Sequence, residues 1–351
     1  MANRIETCLI AGCATFLTIA GLTIAGLTNA GPAPAADGAA QPLVLEATIA
    51  LPDTRGRIDH LAIDLGRRRL FVAELGNGSV DVVDLATRAV IKRISGLDEP
   101  QGVAFVPQAD ILAVASGGDG TVRLYDGETF APRGVIRLDD DADNARLEAS
   151  TGTVVIGYGG AGLGSGGGGL AIVDPTRGTV IKTIALPAHP EAFQLAGDRV
   201  YANVPDARAI AVVDLATGGP VTMWTQPQLG SNFPLALADG GIVAVGFRSP
   251  AVLALFDGAS GRLVSRAASC GDADDVFFDA RRRRYYVSCG AGAIDVFAAD
   301  GGGLHRAARI ATPQGARTSL FVPELDRLYL AVRARPLAGA AAAIQIYRPA
   351  P

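Results

Sequence analysis

Seven short segments of the chain repeat one chemical pattern at a nearly constant interval. They are Asp59-His60, Gln101-Gly102, Asp143-Asn144, Pro190-Glu191, Asn232-Phe233, Asp274-Asp275 and Arg317-Thr318. Their second members lie 42, 42, 47, 42, 42 and 43 residues apart. In a chain that is 49% hydrophobic, nearly every one of these positions is polar. Five carboxylates (Asp59, Asp143, Glu191, Asp274, Asp275) and the imidazole of His60 share the register, with His189 beside it and Arg146 just beyond it. Gathered at one place, crowded carboxylates repel one another and welcome a cation, an amine or a hydrogen-bonding polyol. Imidazole with carboxylate suits a divalent transition metal, for which His60, His189, Glu191 and Asp274 are the ligand set; Asp with Asn and backbone carbonyls suits Ca²⁺. Arg317 and Arg146 could instead grip a carboxylate or phosphate. The plainer alternative is a wet opening whose polar residues satisfy only water and strand ends.

The interval comes from the elements that carry these residues. Leu70–Glu74 leads through Gly76-Asn77-Gly78 to Ser79–Asp84, then through a turn to Val90–Ile94. The same cycle recurs at Val122–Asp126, Ala171–Asp174, Ala211–Asp214 and Ala254–Asp257, and less strictly at Asp295–Ala298 and Gln345–Arg348. Aspartates 84, 126, 174, 214 and 257 close these runs; each carboxylate is suited to accept backbone N–H bonds and start the turn. Each cycle holds four short, β-branched-rich runs separated by Gly, Asp or Asn, and no window shows a helical period. Four strands per unit and seven units of about 40 to 50 residues describe an all-β, seven-bladed β-propeller of antiparallel blades. The innermost strand of each blade then lines a central channel, and the seven polar pairs ring one of its mouths. Residues 44–50 read as a final strand, which the last unit lacks. The N-terminal strand is therefore expected to complete the C-terminal blade and close the ring.

The segments Leu70–Ile94, Val200–Thr217 and Tyr285–Phe297 resemble the YVTN-repeat β-propellers, and within them the YncE-like secreted proteins. The resemblance spans about residues 43–349, through the grammar of the repeat rather than the tetrapeptide itself. It implies the fold; propellers host enzymes, binding modules and structural proteins alike. Three functions stay open: a binding or scaffold protein with its site at the mouth, a metal-assisted hydrolase or lactonase using His60 or His189 for proton transfer, and a purely structural propeller. No Cys-x-x-Cys-His, Gly-x-Ser-x-Gly, HExxH or P-loop is present. Gly157–Gly162 spells GxGxxG, yet no helix follows to receive a phosphate. It begins an insertion, Gly157–Gly169, matched by another at Pro336–Ala343, and either could cover the mouth. The loops on that face carry Glu74, Asn77, Asp119, Asn203, Asp206, Arg208, Arg248, Arg333 and Arg335, which read mostly as solvated turn residues. The basic runs Arg67–Arg69 and Arg281–Arg284 read the same way on the opposite face.

Residues 1–36 have the order of a secretory signal: a short start with Arg4, an uncharged stretch Cys8–Leu27, then small residues that allow cleavage after Ala30 or Ala35. A retained membrane anchor and a lipoprotein site at Ile10–Cys13 are the alternatives. Residues 37–42 read as a linker and 43–350 as one domain, placed in the periplasm or outside the cell and expected to be monomeric. No other stretch is apolar enough to span a membrane. Processing would leave Cys270 and Cys289, either a disulfide or two free thiols. The charge balance, 31 basic against 35 acidic residues, argues against a nucleic-acid partner. A small molecule or a protein is the expected partner.

Overall fold

Short apolar runs broken by turn-forming residues fold locally into up-and-down sheets, and the repeat makes seven of them. The computed structural model describes residues 41–160, 167–219, 221–300, 303–335 and 339–351. It holds twenty-eight strands, numbered β1 to β28 in chain order, in seven four-stranded antiparallel sheets. In the first blade β2 (Leu61–Asp64), β3 (Arg69–Glu74), β4 (Ser79–Asp84) and β5 (Ala89–Ser95) pair in sequence order. The six later blades begin with inner strands β6 (Pro100–Val106), β10 (Ala145–Glu148), β14 (Phe193–Ala196), β18 (Gly230–Ala238), β22 (Ala273–Asp279) and β26 (Ser319–Val322). The ring closes as expected: β1 (Leu43–Ala50) pairs antiparallel with β28 (Ala343–Pro349) and completes the sheet that begins with β26.

The register aspartates start their turns. Asp84 Oδ1 accepts the Thr87 N–H at 2.6 Å, and Asp126, Asp174, Asp214 and Asp257 accept in the same way from Thr129, Arg177, Thr217 and Ser260. In six of the seven blades a register shift interrupts the outermost strand pair, and such bulges increase local twist.

The core lies between blades. One cluster joins Phe71 of β3 to Phe105 of β6 with ring centroids 5.7 Å apart; another sets Tyr286 against Phe321 of β26 at 5.3 Å. The two basic runs prove not to be simple solvated turns. Arg67 donates to Asp64 in its own blade and in bidentate fashion to Asp110 in the next, all at 2.9 Å. Arg282 repeats this with Asp279 and Asp326 at 2.7–2.8 Å. Both guanidiniums clamp neighbouring blades, because an Asp closing the inner strand and an Asp in the next blade's turn present carboxylates to one planar fork. Between the second and third blades the same three places hold Val106, Ala109 and Gly152, and a groove of about 630 Å³ opens there.

Cys270 and Cys289 form a disulfide within the sixth blade, which settles their pairing. Residues 1–36, expected to be a secretory signal, lie outside the described residues, as do 161–166 of the first insertion and 336–338 of the second. Among the described residues no helix is long and apolar enough to cross a membrane.

Candidate functional site

Every inner strand starts within two residues of its polar pair, which places the register at one mouth of the channel. A cavity of about 470 Å³ opens there, lined by Arg57, Gln101, Asp141, Asp143, His189, Glu191, Phe233, Asp274 and Arg317 among others.

Asp143 sits between the two imidazoles. Its Oδ1 lies 3.5 Å from His60 Nε2, and its Oδ2 lies 3.5 Å from His189 Nε2. His189 Nδ1 donates to the Gly159 carbonyl at 2.6 Å. With one nitrogen on a carbonyl and the other on a carboxylate, that ring is best satisfied as imidazolium. Burial opposes the charge on both rings, but the hydrogen bond to Asp143 and the surrounding carboxylates override it and push His60 and His189 up to about 9. Burial likewise disfavours ionised Asp143, yet the two imidazoles hold it well below the usual carboxylate range.

Across the mouth, arginines take up the other acids. Arg248 reaches Asp274 and donates from Nε to the Ala273 carbonyl at 2.8 Å, its guanidinium 3.7 Å above the Phe233 ring. Arg317 bridges Asp272 at 2.7 Å and Asp274 at 3.0 Å. Arg57 Nη2 lies 2.6 Å from Asp59 Oδ2. Gln101 donates to Asp141 at 2.9 Å. Burial pushes Asp59 up to about 6 against the pull of His60 and Arg57.

Glu191 differs from all of these. It lines the cavity, half-buried, and its side chain has no hydrogen-bonded or ion-paired partner among the described residues. Burial, and then the charge of Asp143, push it up to about 8.

Several register residues lie elsewhere. Asn232 is fully buried and joins two blades, donating to Asn203 Oδ1 at 3.0 Å and the Ala209 carbonyl at 2.9 Å. Asn144 is 1% exposed, its backbone carbonyl taken by the Gly157 N–H. Gly102 is the residue that allows this closeness: a Cβ there would fall on the Asp143 carbonyl oxygen. Arg146 and Asp275 line a second chamber deeper in the channel. The expected metal set needs correction. Among the described residues no three His, Cys, Asp or Glu side chains come together to hold a metal ion. Of the four named, His60 and His189 both turn to Asp143, and Asp274 is held by two arginines.

Glu74, Asn203 and Arg248, expected in loops as solvated turn residues, lie at the ends of strands instead. Glu74 is fully buried and accepts from Thr54, while Asn203 ties its strand to the Phe233 and Pro234 carbonyls. Arg57, Asp141 and Asp272 had no place among the expected site residues. A signal for them existed: Arg57, Glu99 and Asp141 are spaced 42 residues apart, two places ahead of the polar register, and Asp272 holds the same place. Glu99, Asp141 and Asp272 also take left-handed φ values of 49°, 38° and 59°, a backbone state that gathers at functional sites.

No protein-family model and no curated protein matches the sequence. Among solved structures, a chain from the "Crystal Structure of Mitotic Checkpoint Complex" is similar, with a TM-score of 0.72 at 14% identity, covering 93% of this chain and 99% of that one. The likeness is one of architecture: this chain is a seven-bladed β-propeller.

Proposed function

We propose that this chain is an exported, monomeric binding propeller of the YVTN-repeat kind, and that its mouth takes a cationic group. That group is an ammonium or guanidinium, borne by a small molecule or by a side chain of a partner protein. The observation that carries this reading is Glu191: the other acids at the mouth that are shielded from water are neutralised by Arg57, Arg248, Arg317, His60 or His189, or accept from Gln101, and Glu99 is exposed to solvent, while half-buried Glu191 faces the cavity without a partner among the described residues. A cation there would replace water with a charge-assisted hydrogen bond. The order of residues 1–36 and the resemblance to secreted propellers support export.

Because Glu191 holds its proton up to about 8, a permanently charged ligand must displace that proton. Calorimetry with methylguanidinium should show affinity rising roughly tenfold per pH unit below 8 and levelling above it. Glu191→Gln should weaken binding by about 10- to 100-fold, the worth of one hydrogen bond to a charged group. No binding by the wild type, or unchanged binding by Glu191→Gln, refutes the reading. Stoichiometric metal in the purified protein that Glu191→Gln releases would replace the amine with a metal ion. Intact mass of the exported protein, which should begin near residues 31 to 37, checks the leader.

A further inference from the structure

Below the mouth the channel opens into a second chamber of about 380 Å³. His60, which lines this chamber, lies 3.5 Å from Asp143, which lines the mouth, and the two spaces share no lining residue. The chamber's walls are partly apolar, with Phe105, Leu147 and Phe277; its polar side chains are His60, Arg146, Asp275, Ser319 and Gln194, whose amide already donates to the Leu235 carbonyl.

Arg146 is the unusual member. The other channel arginines, Arg57, Arg248 and Arg317, each have a carboxylate partner. Among the described residues Arg146 has none; it donates once, from Nη1 to the Ala145 carbonyl at 2.9 Å, and its guanidinium carbon stands 5.8 Å from the Phe193 ring. A guanidinium has five N–H donors in a planar fork, so most of this fork faces the chamber unbonded. Its charge is balanced only at a distance by Asp275 and Asp143.

We propose that this chamber binds a compact organic monocarboxylate, its two oxygens on the fork of Arg146 and its apolar body against Phe105, Leu147 and Phe277. The fork matches a carboxylate in bidentate fashion. The apolar walls suit a hydrocarbon body, and a chamber of this size falls at the small end of ligand pockets. A single negative charge is favoured over a dianion because Asp275 shares the space. Asp275 Oδ2 accepts the Ser319 N–H at 2.7 Å, and burial pushes the acid up to about 7. It can therefore stay protonated beside a bound anion. His60 also faces the chamber, its charge already taken by Asp143. The proposal does not depend on the mouth reading, since Glu191 lies in the other space.

The test is titration of the full-length mature protein with benzoate, hexanoate and inorganic phosphate, followed by calorimetry and amide chemical shifts. Benzoate or hexanoate should bind one to one, shifting residues of β10 and β22, and phosphate should not. Arg146→Gln should weaken benzoate by about 10- to 100-fold. Arg146→Lys should weaken it less, since a point charge replaces the fork; it also serves should the glutamine variant fail to melt cooperatively. Glu191→Gln should leave benzoate binding unchanged. Failure of both acids to bind wild type at millimolar concentration overturns the proposal. So does equal binding by both Arg146 variants and wild type, or preference for phosphate.

Discussion

Replacing Asp143 by Asn tests the charge arrangement at the mouth most directly. One carboxylate holds two imidazoles, and both stand at about 9 against an ordinary value near 6.5. Each shift of roughly 2.5 units corresponds to about 3 kcal/mol of preference for the charged ring in the folded protein. The two rings share a single partner, so their energies do not simply add; the pair contributes between about 3 and about 6 kcal/mol. The sign follows from linkage. A group whose folded value is raised stabilises the fold fully below its unfolded value, and that stabilisation disappears as pH rises through the folded value. Wild-type stability should therefore fall between pH 6.5 and 9.5. Half-buried Glu191 and buried Asp275, raised to about 8 and about 7, act in the same direction at the lower end of that window, because the folded protein must surrender their protons. The assay is urea unfolding at half-unit pH steps, with imidazole proton shifts assigned through His60→Gln and His189→Gln. In Asp143→Asn both rings should titrate well below 9, since burial remains and only the more distant carboxylates Asp59, Asp141 and Glu191 still oppose it. The slope of stability above pH 8.5, beyond the range in which Glu191 gives up its proton, should largely vanish. Wild-type rings titrating near 6.5, or a slope that survives the substitution, would refute the reasoning.

The interblade clamps differ in burial, so Arg282→Ala, whose guanidinium is 11% exposed, should cost about 3 to 5 kcal/mol in unfolding experiments. Arg67→Ala, at 32% exposure, should cost clearly less. The unclamped seam can be tested by construction: Val106→Asp, Ala109→Arg and Gly152→Asp together should raise the melting temperature, with a gain on the order of 1 to 3 kcal/mol. Gly152 has φ of 73° with open space at its Cβ position, and Asp110 and Asp326 hold the equivalent place at φ 51°. Deleting residues 43–51 removes β1 and exposes the edge of β28, and should leave no soluble, cooperatively melting protein by circular dichroism. Peptides bearing Cys270 and Cys289 should run cross-linked before reduction, and Cys289→Ser should lose about 3 kcal/mol, as expected for a 19-residue separation.

The fold was legible because its information is periodic. An Asp every 40 to 48 residues reports a turn, and four apolar runs between such turns report a blade. The mouth was legible for the same reason, since register fixes where a backbone position falls in the ring. Register does not fix where a side chain ends. Asn232 and Asp274 hold the same place in neighbouring blades, yet one is buried in amide bonds to Asn203 and the other faces the cavity between two arginines. Arg248 reaches the site from the end of the second strand of its blade, Ile242–Ser249, because a guanidinium on a long stem can cross to Asp274 and lie on Phe233. The metal set meets the same limit of register. The right residue types were present at the right backbone positions, but the protons and arginines that answer their charges could be located only in three dimensions.

The strand that closes the ring also sets how the molecule would respond to force. Leu43 pairs with Pro349, and the Ala350 N–H donates to the Pro42 carbonyl at 2.9 Å. The two ends of the described domain therefore emerge side by side from one end of one antiparallel pair. A pull applied at residues 42 and 350 would meet the β1–β28 hydrogen bonds one after another, as in a zipper, instead of loading them together in shear. Such a ring resists heat through all seven seams at once, yet yields to tension at a single ladder, whose rupture leaves the seventh blade one strand short.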